Sequence, residues 1–293
     1  MIWASGWRLA SAVSNAGGLG IIGSGSMYPE VLREHIVKCK AATTRHFGVN
    51  VPLLYPDIDK HIEIIIEEKV PIVFTSAGNP KTFTSLLKQH GITVVHVVSS
   101  SKFAIKAQEA GCDAVVAEGF EAGGHNGREE TTTMVLVPAV CSSVSIPVIA
   151  AGGIASGRQI LSAMVLGAEG VQIGSRFVAS NEASSHPNFK AAVINAKEGD
   201  TMLSLKQLTP VRMMKNKFYY DVQEAEQNSA TPGELKILLG KGRAKRGMFE
   251  GDLDQGELEI GQVSALIKNV KPASDILREL WIDFENALQH PLK

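Results

Sequence analysis

The chain has 293 residues, of which 44% are hydrophobic, so it can form one large domain, or one domain with an appendage, around a sizeable core. Its net charge of −1 provides no basic field for phosphates or anionic lipids, which disfavours nucleic acid and a membrane surface as partners. The three cysteines, Cys39, Cys112 and Cys141, form no CxxC or Cys/His pattern, which argues against a disulfide framework or a zinc site and favours a cytoplasmic location.

The first residues, Met1–Ala16, are fairly apolar and need to be distinguished from a signal peptide. Their only charge, Arg8, lies in the middle of the segment, and no continuous apolar run follows a basic start. No stretch of the chain reaches the ~18 apolar residues of a membrane span. We therefore expect neither a signal peptide nor a membrane anchor.

Short, almost wholly apolar runs alternate with amphipathic helical segments after this start. Such runs are typical of parallel strands that are buried on both faces. The predicted strands are Leu19–Gly23, Phe47–Val51, Ile72–Ser76, Thr93–Val98, Ala114–Gly119, Pro147–Gly152 and Gly170–Ser175. The predicted helices between them are Pro29–Ala42, Asp57–Lys69, Pro80–His90, Lys102–Ala110 and Gly157–Leu166.

Repeated βα units predict an α/β fold with a parallel sheet, and the strand spacing favours a (β/α)8 TIM barrel over an open doubly wound sheet. Seven strands are visible and the chain opens on a helix-like stretch, so we expect a barrel that lacks its first strand. We assign residues 1–198 to the barrel, residues 199–272 to a glycine-rich, helical cap and residues 273–293 to a C-terminal helix.

The cap segment has a different pattern from the barrel. Gly199–Asp221 and Gly240–Ile260 are polar or glycine-rich and show no strand periodicity. The predicted helical pieces of the cap are Asp221–Asn228, Thr231–Leu239 and Ile260–Val270. The basic cluster Lys241–Arg246 lies beside the acidic stretch Glu250–Glu259, which indicates either a solvated cap or a surface that recruits a negatively charged substrate carrier.

The loops after the last two predicted strands are candidates for binding an anion. Ala150–Ile154 places two glycines after a buried strand, before a helix that is expected to begin near Ser156. Gln172–Arg176 supplies further N–H donors, a hydroxyl and a guanidinium. Glycines let backbone N–H groups approach a phosphate, and loops after strands 7 and 8 are the usual phosphate site of this barrel. The alternative is that the glycines only make tight turns.

The loop Glu118–Met134 contains the best candidate for an acid or base, His125. Gly123, Gly124 and Gly127 remove side-chain bulk around this histidine, so that a flat ligand could lie against it. Histidine can donate or accept a proton near neutral pH. An ordinary histidine on a surface loop is the alternative. His96 lies within a predicted strand and is expected to be a packed core residue.

Five motifs together resemble the flavin-dependent enoyl-[acyl-carrier-protein] reductase II group and its close relatives, the nitronate monooxygenases. They are FGVN at 47–50, TSAGNP at 75–80, AEGFEAGGHNG at 117–127, AAGGI at 150–154 and VQIGSRF at 171–177. The resemblance covers essentially the whole chain, including the glycine-rich stretch 242–262. In this order the motifs are specific for the superfamily, and they separate the two activities less well.

The resemblance implies FMN as cofactor, NADH or NADPH as reductant, a homodimer, and, as in similar reductases, a monovalent cation with unassigned ligands. His125 matches the histidine that is assigned to catalysis in both relatives. Similar enzymes carry Gly-Gly-Met at the end of the first strand, and Met1 falls at that methionine. We expect that an internal methionine was taken as the start, which an in-frame upstream coding stretch would support and a stop codon there would contradict. The implied cofactor-binding residues are Met1, Asn50, Glu118, Gly124, Ala151, Gly152, Gly153, Gln172, Gly174 and Ser175.

The leading interpretation is NAD(P)H-dependent reduction of trans-2-enoyl thioesters on acyl carrier protein in fatty acid synthesis. His125 would donate the proton or position the thioester. One alternative is nitronate monooxygenase activity, in which a small alkyl nitronate is oxidised by O2 and His125 acts as a base if a neutral nitroalkane is accepted. A second alternative is a flavin-binding protein without turnover. NADH and NADPH both stay open, because no dedicated dinucleotide loop is present.

Overall fold

Seven parallel strands form the main sheet of the computed structural model, which describes residues 2–291. They are β1 (Gly20–Gly23), β2 (Phe47–Pro52), β3 (Ile72–Ser76), β4 (Thr93–Val98), β5 (Ala114–Glu118), β7 (Val148–Ala151) and β8 (Gly170–Gln172). A second, three-stranded sheet contains β6 (Gly124–His125), β9 (Thr201–Ser204) and β10 (Val211–Met214). The predicted cofactor contact at Met1 lies outside the described residues.

The main sheet curls into a half-barrel, with its strands in chain order from β1 to β8. Every neighbouring pair is parallel; Ile22 pairs with Val49 and Ala151 with Gln172, for example. Within the described residues the sheet is open between β1 and β8. The predicted TIM-barrel-like α/β fold is confirmed, and so is its seven-stranded parallel sheet.

Twelve α-helices are found in the described residues, and most of them follow a strand and pack on the outside of the sheet. They are α1 (Trp7–Asn15), α2 (Pro29–Ala42), α3 (Ile58–Glu67), α4 (Thr84–Gln89), α5 (Ser101–Glu109), α6 (Thr133–Cys141), α7 (Gly157–Val165), α8 (Ser175–Val178), α9 (Pro187–Asn195), α10 (Lys217–Gln227), α11 (Pro232–Leu239) and α12 (Ala273–Gln289). In α2, Pro29 starts the helix, and Leu32, Ile36 and Cys39 recur at helical spacing on its buried face. No helix within residues 2–291 is long and apolar enough to cross a bilayer.

The strands are buried on both faces, which explains their almost continuous apolar sequences. Val73 and Val115 pack outward in the large core between sheet and helices. Their neighbours Phe74 and Val116 point inward and fill the inside of the half-barrel. Alternation of side chains along a strand produces these two cores. His96 is 4% exposed, and its Nδ1 lies 2.7 Å from the Thr75 hydroxyl, as expected for a packed core residue.

The cap differs from the sequence prediction in two places. Gly199–Asp221 was expected to lack strands, but it contains the antiparallel hairpin of β9 and β10. The predicted helix over Ile260–Val270 is only a short 3-10 turn at Gln262–Leu266. The two differences have separate origins: β9 and β10 pair with each other as neighbours in sequence, with β10 held further by the distant β6, whereas the Gln262 N–H at the 3-10 turn donates to the distant Glu121 carbonyl.

Candidate active site at the carboxyl ends of the strands

The loops after β7 and β8 form a glycine-lined recess. Gly152 and Gly153 have φ angles of +93° and +70°, which favour glycine. A Cβ on Gly152 would lie 2.8 Å from the Gly119 carbonyl oxygen, and a Cβ on Gly174 would meet open space. The N–H groups of Gly153 and Gly174 have no acceptor among residues 2–291. Unpaired N–H donors, with open space at Gly174 and the Glu121 side chain 3.4 Å from a Cβ on Gly153, fit a bound phosphate group on the Gly174 side.

Ser175 adds a hydroxyl to this recess. Its Oγ accepts a hydrogen bond from the Gly261 N–H at 3.0 Å, which leaves the hydroxyl proton free to donate. The same contact joins the cap to the barrel at this point, because a Cβ on Gly261 would lie 2.8 Å from Ser175 Oγ. The residues that would hold an FMN phosphate therefore fit the group by donor chemistry.

Two expected contributors to the anion site point elsewhere. Helix α7 begins at Gly157 as predicted, but the Gly157 N–H donates to Asp283 Oδ2 of α12 at 2.6 Å, so a carboxylate already occupies this helix start. The buried Arg176 guanidinium donates to Asn269 Oδ1 at 2.7 Å. The dipole of α7 and the charge of Arg176 therefore stabilise the packing of the chain rather than the recess.

His125 lies on a strand rather than on a free loop. The two residues of β6 pair antiparallel with β10, with His125 opposite Val211 and Gly124 opposite Arg212. Asn126 continues the pairing, since its N–H donates to the Pro210 carbonyl at 2.9 Å. His125 is exposed to solvent. Backbone pairing thus holds the histidine in place while its ring stays open to a ligand.

Arg212 anchors the loop that precedes His125. Its side chain is 1% exposed, and its Nε and Nη2 donate to the Phe120 carbonyl at 3.1 and 2.9 Å. The guanidinium also lies over the Phe120 ring, 4.4 Å from its centroid. Burial lowers the pKa of Arg212. A second arginine, Arg128, donates to the carbonyls of Lys206 and Leu208 in the β9–β10 loop.

The threonines 131–133 have a structural role in the same loop. The Glu121 carboxylate accepts hydrogen bonds from the Thr133 N–H at 3.0 Å and from the Thr133 hydroxyl at 2.9 Å. Thr133 is the first residue of α6, so Glu121 places negative charge at the start of this helix. The interaction closes the loop and leaves this helix start unavailable to another anion.

The other predicted cofactor contacts lie at or near the strand ends. Asn50 is buried at β2, and its Nδ2 donates to the Phe74 carbonyl at 3.0 Å. Gln172 ends β8, next to the buried Ala151, and its side chain has no hydrogen bond within the described part of the chain. Glu118 ends β5, and burial raises the pKa of its carboxyl to about 7. The structure therefore brings these side chains to one end of the sheet.

Two carboxyl groups of the cap were missed by the sequence prediction. The segment around Leu258 runs against β10, with the Met214 N–H donating to the Leu258 carbonyl at 2.9 Å. Glu257 is 7% exposed and Glu259 is half-buried, whereas a solvated cap, one of the two alternatives for this region, would expose both side chains. The alternation of GELEI, polar with apolar, indicates a strand-like segment but places both glutamates on the solvent face, so no local signal in the sequence indicates their burial.

No group of three or more histidine, cysteine, aspartate or glutamate side chains in residues 2–291 is arranged to hold a metal ion. In the basic cluster Lys241–Arg246, Arg246 pairs with Asp252 and Lys245 with Glu250. The Arg243 guanidinium donates to the Leu238 carbonyl at 2.9 Å. These pairs fit a solvated cap, and a surface that recruits a negatively charged carrier stays a prediction.

A family model described as nitronate monooxygenase matches residues 1–61 and 54–283. The chain belongs to the nitronate monooxygenase family. A probable nitronate monooxygenase from Staphylococcus saprophyticus is 32% identical, with 92% of each chain covered. A Mycobacterium tuberculosis protein named as a hydroxy-methyl-oxo-octahydro-indene-carboxyl-CoA dehydrogenase is 28% identical, over 99% of this chain and 92% of the relative.

The solved structure of FabK from Thermotoga maritima is also similar to this member of the nitronate monooxygenase family. It has 44% sequence identity and a TM-score of 0.92, covering 99% of this chain and 92% of that one. Membership of this family, together with the FabK likeness, supports a flavin-dependent oxidoreductase. The resemblance inferred from the five sequence motifs is thereby confirmed.

Proposed function

We propose that the chain is an FMN-dependent oxidoreductase that uses NADH or NADPH to reduce trans-2-enoyl thioesters carried by acyl carrier protein. The likeness to FabK carries this proposal, because its 44% identity exceeds the 32% of the S. saprophyticus relative and the 28% of the M. tuberculosis relative described above. The name of the M. tuberculosis relative includes a coenzyme A ester, which is a thioester like the proposed substrate. A cytoplasmic homodimer, with a monovalent cation as in similar reductases, completes the proposal.

The recess after β7 and β8 would hold the FMN phosphate. The N–H groups of Gly153 and Gly174 would donate to it, together with the Ser175 hydroxyl. Asn50, Glu118 and Gln172, at the strand ends, would contact the rest of the cofactor. When bound, FMN would supply the hydride chemistry between the nicotinamide and the β-carbon of the substrate.

His125 would supply the proton in the proposed reaction. Its ring is exposed, so it can approach the α-carbon of the substrate and be reprotonated from solvent. Backbone pairing with Val211 restricts where the ring can lie, which is the condition for efficient proton transfer. The flanking Gly123 and Gly124 do not open space for a flat ligand as the sequence suggests, because Ile260 and the Glu259 carboxyl of the cap occupy the positions beside them, so a ligand would reach the imidazole from another side.

Purified protein loaded with FMN tests the proposal. Oxidation of NADH or NADPH that depends on crotonyl thioester, measured without oxygen, is the expected result. Oxygen uptake with propyl nitronate and no requirement for a nicotinamide would instead favour nitronate oxidation over thioester reduction. Nitronate oxidation is the second candidate, because the matching family model and the S. saprophyticus relative both carry that name. Turnover in neither assay would favour the non-catalytic flavin-binding protein.

A further inference from the structure

A carboxyl group of the cap, Glu259, lies beside the strand that carries His125. On one edge of β10, His125 is opposite Val211 and Gly124 is opposite Arg212. On the same edge, Glu259 forms the next antiparallel bridge, opposite Met213. Glu259 therefore occupies the position that follows Gly124 along β10, and the folded chain itself sets its distance from the histidine.

The contact with Gly124 shows which way the carboxyl group points. A Cβ on Gly124 would lie 2.5 Å from Glu259 Oε2. The carboxyl group therefore occupies the space that the side chain of any other residue at position 124 would need. Gly123 packs closely as well, since a Cβ added at this residue would lie 2.5 Å from the Ile260 carbonyl carbon. The two glycines of the histidine loop thus bring the Glu259 carboxyl up to the backbone next to His125.

In the part of the chain that the structure describes, no basic side chain forms an ion pair with Glu259. Within residues 2–291, neither Glu257 nor Glu259 has a basic nitrogen within 4.0 Å. The nearby arginines are occupied, because Arg212 donates to the Phe120 carbonyl and Arg243 to the carbonyls of Leu238 and Leu239. Burial raises the pKa of Glu259, and the charge of His125 opposes that rise.

We propose that Glu259 is a specificity-determining residue that makes the site beside His125 accept uncharged electrophiles and exclude small anions such as nitronates. The inference rests on the proposed function, in which the reacting carbons of an enoyl thioester are uncharged. A nitronate would bring its negative charge next to His125, and therefore next to the Glu259 carboxyl. Like charges at this range in a poorly solvated site repel strongly.

Binding of nitrate, a planar and unreactive anion, measures this exclusion without turnover. Protein labelled at the Cε1 carbon of histidine gives one NMR signal for each ring, and the His125→Ala spectrum identifies the signal of His125. Titration with sodium nitrate at constant ionic strength then reports binding at this ring, with or without FMN. We expect Glu259→Gln to lower the dissociation constant of nitrate at least about tenfold relative to the unsubstituted chain, because it removes the charge and keeps the shape.

Two further variants separate charge from packing. Glu259→Asp keeps the charge and should exclude nitrate as the unsubstituted chain does, and Glu250→Gln removes a charge that pairs with Lys245 on the cap surface and should change nothing. The inference would be overturned if Glu259→Gln bound nitrate no more tightly than the unsubstituted chain, or if Glu259→Asp tightened nitrate binding as much as Glu259→Gln. It would also be overturned if nitrate shifted the His125 signal in no variant. Tighter nitrate binding in Glu259→Gln without thioester reduction would instead refute the proposed function alone.

Discussion

Gly152 shows how one absent side chain shapes the phosphate end of the site. Its φ of +93° is unfavourable for other residues, and a Cβ would lie 2.8 Å from the Gly119 carbonyl oxygen. Gly17 has a similar φ of +99°, but a Cβ there would meet nothing within 4 Å. The two glycines therefore share the backbone conformation and differ in their surroundings.

We expect Gly17→Ala to lower the free energy of unfolding by about 1 kcal/mol through its φ alone. Gly152→Ala should lower the free energy of unfolding by more than this, because the loop after β7 must shift to relieve the contact with the Gly119 carbonyl. Only this variant should weaken FMN binding. Chemical denaturation of the apoprotein and titration with FMN measure the two effects. Unchanged FMN affinity in Gly152→Ala would separate this loop from the cofactor site.

Glu257 makes stability depend on pH. Burial, and then the neighbouring Glu259, raises the pKa of the Glu257 carboxyl to about 8. The folded chain therefore retains a proton that the unfolded chain releases near pH 4.3, so the stabilisation from this group is complete below that pH and is lost as the pH rises towards 8. We expect the loss of thermal stability between pH 5 and pH 8 to be smaller in Glu257→Gln than in the unsubstituted chain.

The exposed Glu250 provides the matched control for that measurement. Glu250→Gln should leave the pH dependence of Tm as it is in the unsubstituted chain, because Glu250 lies at the cap surface in a pair with Lys245. The same decline of Tm in Glu257→Gln and in the unsubstituted chain would show that the Glu257 carboxyl is not protonated in the fold.

At the scale of elements, the pairing of β6 with β10 connects the cap to the histidine loop, and Arg212 reinforces it. Arg212→Lys keeps the positive charge but cannot donate twice to the Phe120 carbonyl. We expect it to lower the free energy of unfolding by about 2 kcal/mol, because the hydrogen bonds of a buried charged group are lost. The exposed Arg128 makes a similar fork to Lys206 and Leu208, and Arg128→Lys should cost less than about 1 kcal/mol.

Urea denaturation of both variants tests this difference between the two arginines. The variants carry the same chemical change, so burial is what distinguishes them. If Arg128→Lys lowered the free energy of unfolding as much as Arg212→Lys does, the two hydrogen bonds from Arg212 to the Phe120 carbonyl would not be what stabilises the histidine loop.

The strands of the main sheet could be predicted because their short apolar sequences indicate that they are buried. Ile72–Ser76 and Thr93–Val98 are apolar on both faces, and β3 and β4 occupy these bounds. The two residues of β6 carry no such pattern, since they become a strand only by pairing with β10. Strands β9 and β10 in Gly199–Asp221 were missed for a different reason, since they pair with each other locally but are too short to show a clear strand periodicity.

The candidate site could be predicted to a similar extent. The glycine recess and His125 were visible because glycine spacing and a glycine-flanked histidine are local features. Glu259 was missed because its role depends on its register against Met213, and sequence periodicity alone does not define the register between distant segments. The occupation of the α7 start by Asp283 was missed for the same reason, since α12 lies far along the chain.

At the scale of the whole molecule, the fold brings together the two parts of the proposed site. The half-barrel supplies the recess of Gly152, Gly153, Gly174 and Ser175, and the cap supplies the edge of β10 against which His125 lies. Gly261 connects the two parts, because its N–H donates to the Ser175 hydroxyl. The cofactor end and the proton-donating end of the proposed site are thus fastened to each other through the cap.

The half-reaction with the thioester tests the proposed reductase function most directly. FMN-loaded protein is reduced without oxygen and mixed with crotonyl thioester in a stopped-flow instrument, while the flavin absorbance is followed. We predict rapid reoxidation by the unsubstituted chain, reoxidation slowed about 100-fold or more in His125→Ala, and the unsubstituted rate in His90→Ala, whose ring lies at the end of α4 away from the site. Reoxidation that occurs only when oxygen is admitted, or at equal rates in the unsubstituted chain and His125→Ala, would contradict the account.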